Sequence, residues 1–202
     1  PVVYCRDGLI PRYGYVMTRP LRLEHPGALL HVTARGNERR NIVADDDDRR
    51  TFIELFGEAA SQFDWTIDQY VLMANHYHFV VELTESTLSK GMQWLNSRYA
   101  QAFNRRHDRA GHLFQGRFDA RLIEKETYLL EVIRYDALNP VRAGIVVLPE
   151  EYEWSGHRAL AGLADPPPWL AVDSALRTFA PRQDVARTYY KRFVDAGIGL
   201  ER

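Results

Sequence analysis

The stretch WTIDQYVLMANHYHFVVEL, residues 65–83, decides the fold of this chain. Its two runs of apolar and β-branched side chains predict two strands, residues 65–73 and 76–83, joined by a tight connection. Successive side chains of a strand point to opposite faces, so His76 and His78 share one face of the predicted sheet. Two neighbouring imidazoles form either a metal site or an unusual piece of surface, and the pair alone favours the surface.

Hydrophobic periodicity on either side of this stretch predicts the other elements of the fold. Asp47 or Asp48 is expected to cap the first helix, and Pro140 to stop the last one. The predicted strands are residues 29–35, 65–73, 76–83 and 113–123. The predicted helices are residues 48–63, 89–106 and 127–138.

The order of these elements is strand, helix, strand, strand, helix, strand, followed by one extra helix that carries Tyr135. This is the split βαβ order of the ferredoxin-like fold, an α+β fold with an antiparallel sheet and two helices on one face. The other face of the sheet is expected to be open. Alternation places these side chains on it: His31, Arg35, His76, His78, Arg117 and Arg121.

Length and composition indicate a globular protein, because the chain has 202 residues and a hydrophobic content of 46%. No apolar run reaches the roughly 18 residues that span a membrane. Cys5 is the single cysteine and cannot form an internal disulfide, so we expect a cytoplasmic protein. The net charge of −1 gives no general attraction to nucleic acid. Arginine dominates the basic residues, a bias that a GC-rich genome also explains.

Composition and periodicity divide the chain into three parts. Residues 1–16 lack periodicity and are predicted to be a weakly structured N-terminal extension. Residues 17–148 form the main domain with the strands and helices described above. Residues 149–202 are predicted to be a small C-terminal appendage with a turn, a proline-rich linker and two short amphipathic helices at 172–180 and 183–196.

Tyr135 and Asn139 are four residues apart near the end of the predicted extra helix, so they share one helix face. A tyrosine hydroxyl can attack a phosphodiester and hold the DNA end as a phosphotyrosine. A divalent metal on His76 and His78, with the Asn139 amide as third ligand, would polarise that phosphate. Each feature alone has a commoner explanation, since such a tyrosine usually packs in the core and asparagine before proline often ends a helix.

Four segments of the chain carry motifs that belong together. They are HVTARGNERR (residues 31–40), VLMANHYHF (71–79), GHLFQGRF (111–118) and RYDALNPVRAG (134–144). In this order they resemble the sequence blocks of the HUH single-tyrosine transposases, closest to the REP-associated branch, and the resemblance covers about residues 17–160. The second block resembles the metal-binding motif of histidine, hydrophobic residue, histidine. Ala137 departs from the pattern, because many relatives have histidine there.

The resemblance implies a metal-dependent single-stranded DNA transesterase that cleaves and rejoins DNA at or near palindromic hairpins. It implies Tyr135 as the nucleophile that forms a 5′-phosphotyrosine, and His76, His78 and Asn139 as ligands of Mg²⁺ or Mn²⁺. The implied location is the cytoplasm, at the nucleoid, and both a monomer and a homodimer are compatible with the family. The candidate DNA-binding residues are Arg35, Arg39, Arg40, Arg98, Arg117 and Arg121.

Two other functions fit the same residues. A non-catalytic single-stranded nucleic-acid-binding protein on this fold would keep its binding when Tyr135 or the metal is removed. A metal-dependent hydrolase that activates water would cleave DNA without a covalent adduct, with Tyr135 in a structural role. The covalent adduct therefore distinguishes the transesterase from both alternatives, and cleavage distinguishes the hydrolase from the binding protein.

Overall fold

The sheet of the protein has four antiparallel strands, as a computed structural model describes it for residues 24–124 and 126–199. The strands are β1 (Leu29–Arg35), β2 (Trp65–Leu72), β3 (His76–Leu83) and β4 (Asp119–Leu122). Their spatial order is β2-β3-β1-β4, with all neighbours antiparallel. The predicted ferredoxin-like α+β fold is confirmed. The predicted N-terminal extension lies outside the described residues.

Six helices accompany the sheet in the described residues. They are α1 (Asp46–Gln62), α2 (Leu88–Arg106), α3 (Glu126–Arg142), α4 (His157–Leu160), α5 (Val172–Arg177) and α6 (Gln183–Asp195). Short 3-10 turns at Asn37–Arg39 and Pro149–Glu151 complete the described secondary structure. Across the described residues, we find no helix with the length and apolar character that a membrane span requires.

Helices α1 and α2 pack against one face of the sheet through an aromatic core. Phe52 lies 4.8 Å from Tyr77, and Phe56 lies 4.8 Å from Phe79, between ring centroids. Full burial of one such side chain contributes roughly 1.5–3 kcal/mol to folding. Because Tyr77 and Phe79 occupy this face of β3, alternation turns His78 to the opposite face.

The start of α1 differs from the prediction. Asp45, not Asp47 or Asp48, is the N-cap, and its side chain accepts hydrogen bonds from two backbone N–H groups of the first turn, each at 3.1 Å. Asp48 is instead buried, where it accepts from the N–H of Ala44 at 2.7 Å and from Arg106 at 2.6 Å. Arg106 bonds to both Asp45 and Asp48, so burial, and not this arginine, makes Asp48 unavailable as the cap.

The second face of the sheet is not open as predicted, because α3 covers part of it. Ile133 and Ala137 of α3 are fully buried, as is Val80 of β3 on this face. The apolar side of α3 thus has a sheet surface to pack on, which the alternation pattern of the strands alone does not reveal. This packing leaves His31 and His78 only 8% exposed.

Strand β4 is shorter than the predicted 113–123. It begins at Asp119, and before it only an isolated bridge joins Phe114 to Gly36. Thr33 pairs with Asp119, so residues 115–118 lie opposite only residues 34–35, and this side of the ladder has the longer segment between the two pairings. The extra residues interrupt the ladder, as in a β-bulge.

Helix α3 continues through Pro140 to Arg142, so the predicted stop at residue 138 is wrong. Proline removes one helical N–H, but the N–H of Ala143 still bonds to the carbonyl of Asn139 at 3.0 Å. Gly144 follows the end of the helix, and its φ of +67° is the left-handed conformation that terminates many helices.

The C-terminal residues close the free edge of β2. The N–H of Leu72 donates to the carbonyl of Trp154 at 2.9 Å, and the N–H of Ala171 donates to that of Ile67 at 2.8 Å. An uncovered edge strand is open to aggregation, so these bonds protect the sheet. Helix α5 ends at Arg177, earlier than predicted, and α4 had no counterpart in the prediction. The division after residue 148 stays a prediction.

Candidate active site

Tyr135 lies on the outer side of α3 and lines a cavity of about 430 Å³. The residue is 41% exposed. Its ring stands edge-on to those of His78 and His31, with centroid distances of 5.6 and 6.4 Å. The candidate nucleophile is therefore accessible to a polymer, while the two histidines lie buried beside it.

The two ring nitrogens of His78 differ in their partners. Its Nδ1 lies 3.2 Å from Nε2 of His31 and 3.8 Å from a carboxylate oxygen of Asp136. Its Nε2 is buried and has no hydrogen-bond partner among the described residues. Burial first, then the charges of His31, His76 and Arg35, lower the pKa of His78 to about 2. The ring is thus neutral near neutral pH, the state in which imidazole binds metals.

His76 lies on the same face, with its ring 5.0 Å from that of His78 and nearly perpendicular to it. Its Nδ1 is 2.6 Å from Oδ1 of Asn75. Burial and the charge of Arg35 lower the pKa of His76 to about 4, and a hydrogen bond with Asn139 opposes them. This second imidazole is therefore also neutral near neutral pH.

Asn139 follows Tyr135 by one helical turn and is 8% exposed. Its side chain interacts with His76, so its amide group points to the histidine pair. The structure thus brings together all four residues predicted as the nucleophile and metal ligands. Their chemical roles remain predictions.

A second set of donor atoms surrounds the other nitrogen of His78. Nε2 of His31, Nδ1 of His78 and a carboxylate oxygen of Asp136 lie within 4.8 Å of one another, an arrangement compatible with metal binding. His31 and Asp136 are 3.2 Å apart. Burial raises the pKa of Asp136, opposed by the hydrogen bond and charge of His31 and by the charge of Arg142. The site therefore offers donors on both sides of one imidazole.

Asp136 and Arg142 are site residues that the sequence analysis did not identify. The guanidinium of Arg142 lies 4.9 Å from the centre of the Tyr135 ring, a cation–π contact. Arg142 was missed because the helix was predicted to end before it. Asp136 had one available signal, since a carboxylate between apolar positions of an amphipathic helix is buried only with partners.

The six arginines predicted to bind DNA are all exposed and lie at three different places. Arg35 pairs with His76 across the β1–β3 ladder, and Arg121 pairs with His31 across the β1–β4 ladder and lines the cavity. Arg39 and Arg40 follow β1, and Arg117 precedes β4. Arg98 lies on α2 in contact with Trp94, in the helical layer on the opposite face. The structure thus does not bring Arg98 to the site.

A His-x-His strand beside a helix-borne tyrosine, on a ferredoxin-like sheet, is the arrangement of the single-tyrosine transposases. Residues 26–135, more than half of the chain, match the family described as "Transposase IS200 like". The chain belongs to this family of transposases. No curated protein sequence matches it.

Two solved structures are similar to this chain to different degrees. The REP-associated tyrosine transposase bound to a REP hairpin is 20% identical, with a TM-score of 0.62, over 77% of this chain and 92% of that one. The tRNA(His) guanylyltransferase of Saccharomyces cerevisiae is 8% identical, with a TM-score of 0.46, over 94% of this chain and 86% of that one. The first similarity shows that the two proteins share the four-stranded antiparallel sheet with its helices.

Proposed function

We propose that this transposase cleaves and rejoins single-stranded DNA at or near palindromic hairpins through a 5′-phosphotyrosine on Tyr135. The observation that carries the proposal is the exposed Tyr135 ring beside His78, whose buried Nε2 has no partner among the described residues. A buried polar atom without a partner is costly and needs an explanation. A metal ion bound to Nε2 of His78 would provide that explanation, and the ion would lie next to the nucleophile.

His76, His78 and Asn139 fit a divalent metal, because two neutral imidazoles and an amide converge there. The family favours Mg²⁺ or Mn²⁺ in this role. When bound, such an ion polarises a phosphate oxygen and stabilises charge that develops during phosphoryl transfer.

Transesterification at Tyr135 conserves the number of phosphate ester bonds. The hydroxyl oxygen of Tyr135 forms a bond to phosphorus, and the bond from phosphorus to the 3′ oxygen breaks. The tyrosine proton leaves to solvent and the 3′ oxygen gains one, so a free 3′-hydroxyl remains. Attack by a 3′-hydroxyl on the phosphotyrosine reverses these steps, which rejoins DNA without a nucleotide cofactor.

The residues around Tyr135 orient its ring for this attack. Arg142 lies against the ring, and His78 contacts it edge-on. Correct placement of a nucleophile provides a large part of the rate enhancement in such reactions. The cavity beside the ring, with Arg121 in its wall, is large enough to receive a nucleotide next to the scissile phosphate.

The substrate proposal extends the structural similarity to a hairpin-bound relative. Exposed Arg35, Arg39 and Arg40 lie at or just after the end of β1, near His76. Guanidinium groups pair with phosphates and stack on unpaired bases, which suits a hairpin with single-stranded flanks. A protein with this substrate would act at the nucleoid.

Incubation with a DNA hairpin that has single-stranded flanks, in the presence of Mn²⁺, tests the proposal on a denaturing gel. We expect a covalent protein–DNA species that Tyr135→Phe abolishes. Tyr189→Phe is the matched control, because Tyr189 is similarly exposed but lies on α6, outside this cavity, and it should keep the adduct. Cleavage that persists in Tyr135→Phe would indicate a hydrolase, and binding without cleavage would indicate a DNA-binding protein.

A further inference from the structure

Asn75 has a side-chain orientation that its partners determine. Its Nδ2 donates to the backbone carbonyl of Arg39 at 3.1 Å. A carbonyl only accepts hydrogen bonds, so the amide nitrogen faces Arg39 and the oxygen faces His76. That oxygen is 2.6 Å from Nδ1 of His76, and because it also only accepts, Nδ1 must carry the proton. Nε2 of His76 then keeps its lone pair, as a metal ligand requires.

The loop that Asn75 contacts, residues 36–40, has an unusual backbone. Glu38 and Arg39 are consecutive non-glycine residues with φ of +54° and +61°. A Cβ on Gly36 would lie 2.0 Å from the carbonyl oxygen of Arg40, so glycine is required there. Strained segments persist only where the surroundings hold them. Asn75 makes two hydrogen bonds to this loop. Besides the side-chain bond to Arg39, its backbone carbonyl accepts a hydrogen bond from the N–H of Gly36 at 2.8 Å.

One asparagine thus connects an arginine-bearing loop to one histidine of the pair. Arg39 and Arg40 are exposed, and the carbonyl of Arg39 is the acceptor that orients the Asn75 amide. A DNA phosphate held by these two arginines would keep the loop in place. The loop would in turn keep the amide oxygen of Asn75 on His76.

We propose that Asn75 is a positioning residue that couples DNA binding by the loop 36–40 to metal binding by His76. The proposal rests on the proposed function, because it takes His76 as a metal ligand and the loop as a DNA contact. Coupling is reciprocal, so a DNA hairpin strengthens the binding of Mn²⁺ by the factor by which Mn²⁺ strengthens the binding of the hairpin. His78 is held separately, by His31 and Asp136, and takes no part.

Two substitutions separate the two hydrogen bonds of Asn75. In Asn75→Asp, a carboxylate oxygen still accepts from Nδ1 of His76, but the side chain cannot donate to the carbonyl of Arg39. In Asn75→Ala, both bonds are lost. Asn75→Asp should therefore keep the affinity for Mn²⁺ and lose the coupling, while Asn75→Ala should lose both.

The experiment measures dissociation constants in the Tyr135→Phe background, where the hairpin is not cleaved. Titration calorimetry with Mn²⁺, with and without the hairpin, should give a coupling factor of about tenfold in the parent. We expect that factor to fall to about one in both Asn75 variants. Mn²⁺ affinity without DNA should fall about 10- to 100-fold in Asn75→Ala only. Thermal unfolding without metal checks that each variant is folded.

Several outcomes decide the question. Full coupling in Asn75→Asp, or unchanged Mn²⁺ affinity in Asn75→Ala, would overturn the proposal. Loss of the Nδ1 proton signal of His76 in Asn75→Ala, observed by nitrogen NMR, would support it independently of DNA. If the adduct test on Tyr135 fails but coupling is found, the proposed chemistry is wrong and the role of Asn75 stands. If Mn²⁺ binds but no hairpin does, the substrate and the coupling are both wrong.

Discussion

The two faces of the one sheet differ in how their polar atoms are satisfied. On the face covered by α1 and α2, the hydroxyl of Tyr77 donates to Asn96 and that of Tyr99 donates to the carbonyl of Ile42, each at 2.6 Å. On the face covered by α3, Nε2 of His78 and one oxygen of Asp136 are buried without a hydrogen-bond partner among the described residues.

This difference separates stability from function within a single strand. An unsatisfied buried polar group costs about 1–3 kcal/mol, so the second face weakens the fold where the first strengthens it. Local violations of good packing are expected at functional sites. Neighbouring residues of β3 should therefore respond to substitution in opposite ways.

The largest expected effect is on the first face. Phe79→Ala should lower the free energy of unfolding by about 3–5 kcal/mol, because it opens a cavity among Phe56 and the rings around it. Urea denaturation without metal measures this value. A loss below about 1 kcal/mol would contradict the close packing that distinguishes this face.

The adjacent residue should show the reverse behaviour. His78→Phe keeps a planar ring but has no ligand atom, so affinity for Mn²⁺ should fall at least about 100-fold, beyond the usual effect of an indirect partner. The free energy of unfolding without metal should change by less than about 1 kcal/mol, since removal of the unsatisfied buried Nε2 offsets loss of the hydrogen bond between Nδ1 and His31. Calorimetry and urea denaturation give the two numbers, and a large stability loss with intact metal binding would make His78 a structural residue.

Alternation along β1 and β3 was enough to predict this two-sided design. The predicted bounds 29–35 and 76–83 agree with those of β1 and β3. Side chains of a strand alternate between its two faces, and in β1 and β3 most of the apolar side chains lie on one face, so the pattern is strong. The positions of His76 and His78 on one face follow directly from it.

The cover on the second face could not be predicted in the same way. Pro140 favours a helix end by local rules, and only the packing of α3 on the sheet carries the helix on to Arg142. The contacts of Asp136 with His31 and His78 join residues far apart in the chain, which periodicity does not report. The features of the site that the sequence did not predict are therefore those that depend on tertiary contacts.

A third prediction concerns the helical layer and has a defined pH dependence. Asp48 accepts hydrogen bonds from Ala44, Arg106 and His107, and despite its burial these partners lower its pKa. Asp48→Asn should lower the free energy of unfolding by roughly 1.5 kcal/mol at neutral pH. Because the pKa of Asp48 is lower in the folded state than its unfolded value of 3.8, the ionised carboxylate stabilises the fold at pH values above 3.8. The difference in free energy of unfolding between the parent protein and Asp48→Asn should therefore shrink as the pH falls below that value.

Urea denaturation over a pH series measures the effect of Asp48→Asn. Asp47→Asn is the matched control, because Asp47 is exposed and lies 3.3 Å from Arg106, and it should change stability little. A pH-independent loss in Asp48→Asn would show that shape, not charge, matters at this position.

The smallest expected effect tests whether Asp136 belongs to the metal site as a ligand or as a support. As a support it accepts from the ring N–H of His31, and Asp136→Asn keeps one acceptor oxygen for that bond, so affinity for Mn²⁺ should fall only about tenfold. As a ligand, Asp136 would supply a negative charge that asparagine cannot replace. The loss of Mn²⁺ affinity in Asp136→Asn should then match the loss in His78→Phe. Calorimetry of Asp136→Asn beside His76→Phe decides between the two donor sets. If metal binding survives His76→Phe but not Asp136→Asn, the ion lies on the Nδ1 side of His78, with His31 and Asp136.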